Sequence, residues 1–238
     1  MIKKLYLLIA VLCVALCSCS CKKQENVSQS EQSVEVFQQS EDVEEKVITV
    51  SPMAEEDFLL PLEKFSWERE YAPEYVMLHF TSAVVISKDD PYNMSLIRGI
   101  FEDNEVSINY IVDRDGSVLC YIPEDRAAWH AGKGTFGGDE RFTDAMNKYS
   151  IGIEIGAIGS QKDMAQYMSA QEYNELDDSL KGFTDEQYLS LKALVKDICQ
   201  RNGIPFDKEH VIGHDMYNPQ KNDPGELFDW AYFMALLA

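Results

Sequence analysis

Basic residues are scarce in this chain: 21 Lys and Arg stand against 41 Asp and Glu, a formal net charge of −20. That balance excludes nucleic acid as a natural partner, because phosphate binding depends on clustered cations that displace counterions. Cysteine is scarce where it would build a fold. Of the six cysteines, Cys13, Cys17, Cys19 and Cys21 crowd the amino-terminal end and only Cys120 and Cys199 remain in the body, so no disulfide framework is expected. Cys120 lies in an apolar strand-like run and Cys199 in a helical one, and both read as small buried hydrophobes rather than as a bridge. Internal repeats are absent. The one long apolar stretch, Leu5 to Leu16, is too short to span a bilayer stably.

What is there begins with that stretch. It follows the basic start Met1-Ile2-Lys3-Lys4, the layout of a secretory signal, so export is expected. Leu16 and Ser18 stand three and one residues before Cys19. The spacing resembles a bacterial lipoprotein cleavage box, which implies a signal over residues 1–18, lipidation of Cys19 and a membrane anchor facing the periplasm. Ser20 stands where lipoproteins held at the inner membrane commonly carry aspartate, so the outer membrane is expected. From Gln24 to about Val47 the chain is rich in Gln, Ser and Glu and too polar to bury a core, so residues 19–47 read as a disordered tether. Residues 48–238 are one domain's length.

Within that domain Tyr75 to Thr81 is a β-type run with apolar residues for both faces. Tyr92 to Glu102 places Met94, Ile97, Ile100 and Phe101 at helical spacing. Val106 to Val112 and Ser117 to Ile122 alternate around Asp115-Gly116, a hairpin pattern. Ser150 to Gly156 is a strand with Ile151, Ile153 and Ile155 on one face. Thr184 to Gln187 spells a capping box that opens a helix closed by Asn202-Gly203, with Tyr188, Leu191, Val195 and Ile198 as its buried stripe. A strand over His210 to His214 and a helix from about Asp229 to Leu237 follow. Strands interleaved with helices predict a single α/β domain with a mixed central β-sheet covered by helices. Residues 157–182 show no clear period and read as a surface loop with some helix.

Two of these strands end in histidine. His79 closes the first apolar run and His214 the last, and the loop after His214 carries Lys221 and Asp223, two apart and hence on one side of an extended segment. Pro224 favours that extended conformation. Taken alone, each histidine reads as a core residue at a strand end. Together with Asp223 they match a catalytic zinc site, two imidazoles and a carboxylate with the fourth position left to water.

The chain resembles the zinc-dependent N-acetylmuramoyl-L-alanine amidases related to peptidoglycan recognition proteins and T7 lysozyme. The resemblance runs from about Val76 to Trp230. It rests on His79-Phe80-Thr81, Asn109 to Gly116, Ala128-Trp129-His130-Ala131-Gly132, Asn147 with Ser150 to Glu154, and Gly213-His214 with Lys221 to Gly225. It implies a peptidoglycan recognition protein-like fold, Zn2+ on His79, His214 and Asp223, and cleavage of the amide between N-acetylmuramic acid and L-alanine in peptidoglycan or muropeptides. It also implies Glu154 as general base, with Gly152 and Gly156 leaving a hollow beside it for a ligand, and Lys221 as donor to the developing oxyanion. Tyr110 corresponds to a tyrosine near the metal, although as an alternating-strand residue it reads equally as core. Trp129, His130 and Asn147 are expected along the substrate groove, with His130 the one other histidine able to replace a ligand. His210 is expected to be structural. The partners expected are peptidoglycan or muropeptides and, through the anchor, a membrane; the chain is expected to act as a monomer. A peptidoglycan-binding lipoprotein without activity, or a zinc hydrolase of another amide, are the competing readings.

Overall fold

The structure is a computed structural model and describes residues 50–237. The expected signal, lipidated cysteine and tether lie outside the described residues. In chain order the elements are β1 (Ala54–Glu55), α1 (Leu62–Phe65), β2 (Ser66–Glu68), β3 (Tyr75–Thr81), α2 (Met94–Asn104), β4 (Tyr110–Val112), β5 (Val118–Cys120), β6 (Arg126–Ala128), β7 (Ser150–Gly156), α3 (Gln161–Met164), α4 (Ala170–Asn174), α5 (Asp185–Asn202), β8 (Val211–Gly213), α6 (His214–Tyr217) and α7 (Trp230–Leu237).

Six of the strands make one mixed sheet in the order β1-β5-β4-β7-β3-β8, while β2 and β6 form a separate antiparallel pair. The hairpin β4-β5 is the antiparallel step; β4, β7, β3 and β8 run parallel. Parallel strands of this kind are covered on both faces and need apolar residues throughout. β3 and β7 meet that need with Val76, Met77, Leu78, Ile151, Ile153 and Ile155, all buried. The α/β class with a mixed sheet is therefore as expected.

Register decides which residues share a face. Leu78, Ile153 and Tyr110 stand opposite one another, and His79, Glu154 and Ile111 form the next row. The first row points to α5, whose Leu191, Leu194, Val195 and Ile198 pack on it in the main core. The second row points the other way. Thr184 caps α5 through the capping box with Gln187, and Gly203 closes it in the left-handed region. Both Cys120 and Cys199 are free and buried in this same core.

Boundaries moved where a cap was overlooked. The helix expected over Tyr92 to Glu102 is α2, shifted because the Asn93 side chain accepts the Leu96 N–H and sets its start. Residues 157–182 are more than a loop. Ser160 with Asp163 and Ser169 with Glu172 form capping boxes that start α3 and α4. Ile158, Met164, Tyr173 and Leu176 then bury a small cluster of their own with Val84.

Candidate metal centre

His79 ends β3, and His214 follows β8, which pairs with β3 in parallel, so the sheet delivers both imidazoles to the same end of neighbouring strands. The loop after α6 brings back Asp223. Ligand atoms of His79, His214 and Asp223 all lie within 4.8 Å of one another, and among the described residues this is the one such group of three or more. Asp223 Oδ2 lies 2.6 Å from His79 Nδ1 and 2.9 Å from His214 Nδ1.

The hydrogen bonds behind the two rings fix their tautomers. His214 Nε2 lies 2.9 Å from the carbonyl of Ala131, which can only accept, so that nitrogen carries the proton. The Asn147 side chain holds this carbonyl's segment in place, its Oδ1 accepting the backbone N–H of His130 at 3.0 Å and of Ala131 at 2.7 Å. Ser150 donates its hydroxyl to the carbonyl of Met146 at 2.8 Å and so accepts from His130 Nε2 at 3.2 Å. His130 Nδ1 is left to accept from His79 Nε2 at 2.9 Å. Both candidate histidines therefore turn a bare Nδ1 towards a carboxylate oxygen. Three lone-pair donors aimed at one point is an arrangement that suits a divalent cation, and outer-shell partners of this kind are the usual means of orienting histidine ligands.

The electrostatics agree. Burial holds the pKa of His79 below its ordinary value against the pull of Asp223, so the ring stays neutral as a ligand must be. His130 is held well below its ordinary value by burial and by the neighbouring His79 and His214. Burial opposes ionisation of Asp223, yet the adjacent His214 and His79 outweigh it and hold the group well below the ordinary carboxylate range, so it stays ionised.

Glu154 stands directly opposite His79 in the ladder. Its Oε2 is buried without a hydrogen-bond partner among the described residues. Burial, and then the charge of Asp223, push its pKa well above the ordinary carboxylate value, with Lys221 opposing. Lys221 is exposed, and its ammonium makes no hydrogen bond to a described residue. Glu154 and Lys221 line one cleft of about 410 Å3 with the three ligand candidates. Its lining also includes Trp129 and, from the 157–182 segment, Met164 and Tyr167.

Two expectations need correction. Tyr110 does not reach the cleft: its row faces α5, and its hydroxyl lies 2.5 Å from the buried Glu124 carboxylate while accepting the Ser51 N–H at 2.9 Å. The bare Cα of Gly152 leaves no hollow for a ligand either. A Cβ there would lie 2.7 Å from the His130 ring and 2.6 Å from Ile108, so the glycine makes room for His130. His130 lines the cleft as expected and in addition supports His79. His210 pairs with Asp207 at 2.7 Å and stacks on Tyr75, away from the centre.

The model of the family described as N-acetylmuramoyl-L-alanine amidase matches residues 69–226, about two thirds of the chain. The chain belongs to this amidase family. It is 34% identical over 134 residues to the 1,6-anhydro-N-acetylmuramyl-L-alanine amidase AmpD of Salmonella typhimurium, covering 56% of this chain and 58% of that protein. It is 31% identical over 163 residues to the N-acetylmuramoyl-L-alanine amidase AmiD of Escherichia coli, covering 65% of this chain and 50% of that one. The chain thus spans somewhat over half the length of AmpD and half that of AmiD. A crystal structure of AmpD superposes with a TM-score of 0.54 at 25% identity, covering 79% of this chain and 97% of that one. AmiD of E. coli, in complex with anhydro-N-acetylmuramic acid-L-Ala-D-gamma-Glu-L-Lys, superposes with a TM-score of 0.51 at 26% identity, covering 74% of this chain and 66% of that one.

Two residues of this amidase-family chain escaped the sequence reading. Asp163, buried on α3, accepts Asn222 Nδ2 at 3.1 Å and the backbone N–H groups of Glu226 at 3.0 Å and Ser160 at 2.9 Å. It thereby grips the loop on both sides of Asp223. Its capping-box spacing from Ser160 was the available signal. Trp67, on β2, lies against Trp129 with ring centroids 6.0 Å apart. It stands just outside the family match, and nothing in the sequence pattern singles it out.

Proposed function

We propose that this chain is a zinc-dependent amidase that cuts the bond between the lactyl group of N-acetylmuramic acid and L-alanine in peptidoglycan or its fragments. The convergence of His79, His214 and Asp223 beside an unpartnered buried Glu154 carries this reading. The relatives named for the same bond support it, as does the AmiD complex with an anhydro-muramyl peptide.

A zinc ion in this ligand set supplies Lewis acidity, polarising a carbonyl and bringing the pKa of water to about 7. Glu154 takes the proton of the attacking water and passes it to the leaving alanine nitrogen. Its raised pKa makes it a stronger base than an ordinary carboxylate and lets it hold the proton that it then returns. Lys221, free on the cleft wall, donates to the oxyanion as the carbonyl carbon becomes tetrahedral. His130, Ser150 and the Ala131 carbonyl hold the two imidazoles in their ligating tautomers. The amino-terminal features fit export and lipidation at Cys19, which would hold the enzyme in the periplasm at the outer membrane, acting as a monomer.

Incubating the zinc-loaded full chain with defined muropeptides and weighing the products tests this. Release of a peptide with a free L-alanine amino terminus is expected. Metal and muropeptide bound without release would make the chain a wall-binding protein, and cleavage inside the stem peptide would move it to another amide.

A further inference from the structure

The 157–182 segment is built more firmly than a connection needs to be. Its base is closed by the Gly182 N–H on the carbonyl of Ile158 at 2.9 Å, and Arg114 donates to the carbonyls of Gly182 at 2.6 Å and Ser179 at 3.0 Å. Inside it, the Tyr173 hydroxyl donates to the carbonyl of Gly159 at 2.9 Å. Between α3 and α4 the chain turns on the Met164 carbonyl, which accepts the N–H groups of Tyr167 at 2.9 Å and Met168 at 3.1 Å. Met164 and Met168 both pack into the segment's own apolar cluster. Tyr167 does not: it lines the cleft with Glu154, Asp223 and Lys221 and is 54% exposed.

A tyrosine held out on a rigid support offers a ligand an apolar ring and one polar tip at little entropic cost. Its hydroxyl has no hydrogen-bond partner among the described residues. Burial, and then the charges of Asp223 and Glu154, raise its pKa, so the hydroxyl lies near both carboxylates and keeps its proton. It is a donor in want of an acceptor. Glu154 returns its proton to the alanine nitrogen, so the atoms that leave with this nitrogen are those nearest Glu154, and Tyr167 shares that cavity. Neither residue lines the adjoining cavity that meets Trp129 and His130. The first acceptor past the nitrogen is the carbonyl oxygen of the alanine itself.

We propose that Tyr167 is a substrate-binding residue for the leaving peptide, its hydroxyl donating to the carbonyl oxygen of the L-alanine whose nitrogen is released and its ring covering that residue. The role rests on the amidase reading, and Tyr167 lies outside every motif that carries the family resemblance.

Two substrates test this on the zinc-loaded full chain. One is N-acetylmuramoyl-L-alanyl-γ-D-glutamyl-L-lysine; the other is N-acetylmuramoyl ethylamide, which keeps the scissile amide but lacks the alanine carbonyl. Tyr167→Phe deletes a hydroxyl that holds nothing in the fold. It should raise KM for the tripeptide substrate roughly two- to tenfold, the usual effect of losing one neutral hydrogen bond, with kcat little changed because the contact is made before and during reaction. On the ethylamide it should change nothing, and Tyr167→Ala should weaken the tripeptide substrate further. An equal loss on both substrates, or no loss on the tripeptide, overturns the proposal. Titration calorimetry in the Glu154→Gln background, where turnover is slow, supplies a readout independent of hydrolysis. Adding Tyr167→Phe there should weaken the tripeptide compound by the same factor and leave the ethylamide as it was; equal affinity for the tripeptide compound overturns the contact. Binding that Tyr167→Phe weakens, with no cleavage by the wild type, would leave the contact standing and remove the amidase reading instead.

Discussion

Replacing Asp163 by alanine should loosen metal binding from a position that is not itself a ligand candidate. The carboxylate is 2% exposed and accepts three N–H groups, two of them from residues flanking Asp223. Hydrogen bonds to a charged acceptor contribute about 1.5–3 kcal/mol each. Water can reach this side of the loop through the cavity that Asp163 lines, so the net loss of stability should be about 3 kcal/mol rather than the full sum. A domain of this size tolerates that, since folded stability is about 5–15 kcal/mol. With the arc from Asn222 to Glu226 released, Asp223 must be ordered at the moment of binding, and zinc affinity should fall by about 10–100-fold, the range for lost outer-shell support. Asp163→Asn should lose less, because Asn222 can turn its amide to offer an oxygen. Competition with a chromophoric chelator, on protein verified as folded by circular dichroism, measures this. Wild-type zinc affinity in a destabilised Asp163→Ala variant would refute the argument and reduce Asp163 to a staple for its own helix.

Glu154→Gln should keep the metal while turnover falls by about 10²–10⁴, the usual share of a general base; unchanged turnover of muropeptide removes Glu154 from the chemistry. The same variant tests the burial of the carboxyl. Because its pKa is raised in the fold, the folded chain binds this proton more tightly than the unfolded one. Stability of the chelator-treated wild type should therefore drop as pH rises from the ordinary carboxylate range through the raised value, and the glutamine variant should lack that drop. Thermal melts over pH should show the gap between the two widening, and a constant gap would place the carboxyl in water. Tyr110→Phe strips a partner from the buried Glu124 and from the Ser51 N–H, so stability should fall by about 1–3 kcal/mol with kcat of the folded protein unchanged. A large loss of kcat in an equally stable variant would return Tyr110 to the site. Cys19→Ala should shift the exported protein from the membrane to the soluble fraction on fractionation, and retention in the membrane would exclude Cys19 as the anchor.

The parts of the site that were legible in the sequence are those whose position follows from chain direction alone. His79 and His214 close apolar runs, and parallel strands put the ends of such runs side by side. Asp223 and Lys221 follow from spacing on an extended loop. Tyr110 was misplaced because a three-residue strand does not declare which face it turns to the core; only its pairing with Ile153 does. The support that His130 gives His79 was not legible, because that bond joins residues 51 apart and no local pattern carries the information. Some helix was expected in the 157–182 segment, but its placement was not legible for another reason. α3 and α4 are four and five residues long, too short for a period, and are set by their capping boxes.

The alternation along β7 ties chemistry to folding. Ile153 fills the core under α5 while its neighbour Glu154 serves the cleft, and β3 does the same with Leu78 and His79. Were β7 to slip one position along its partners, the carboxylate would be driven beneath the long helix and an isoleucine would confront the imidazoles. Misfolded chains of that kind would be both unstable and inert. Any selection for catalysis therefore also guards the pairing of the sheet, and an assay of turnover doubles as a report on strand alignment.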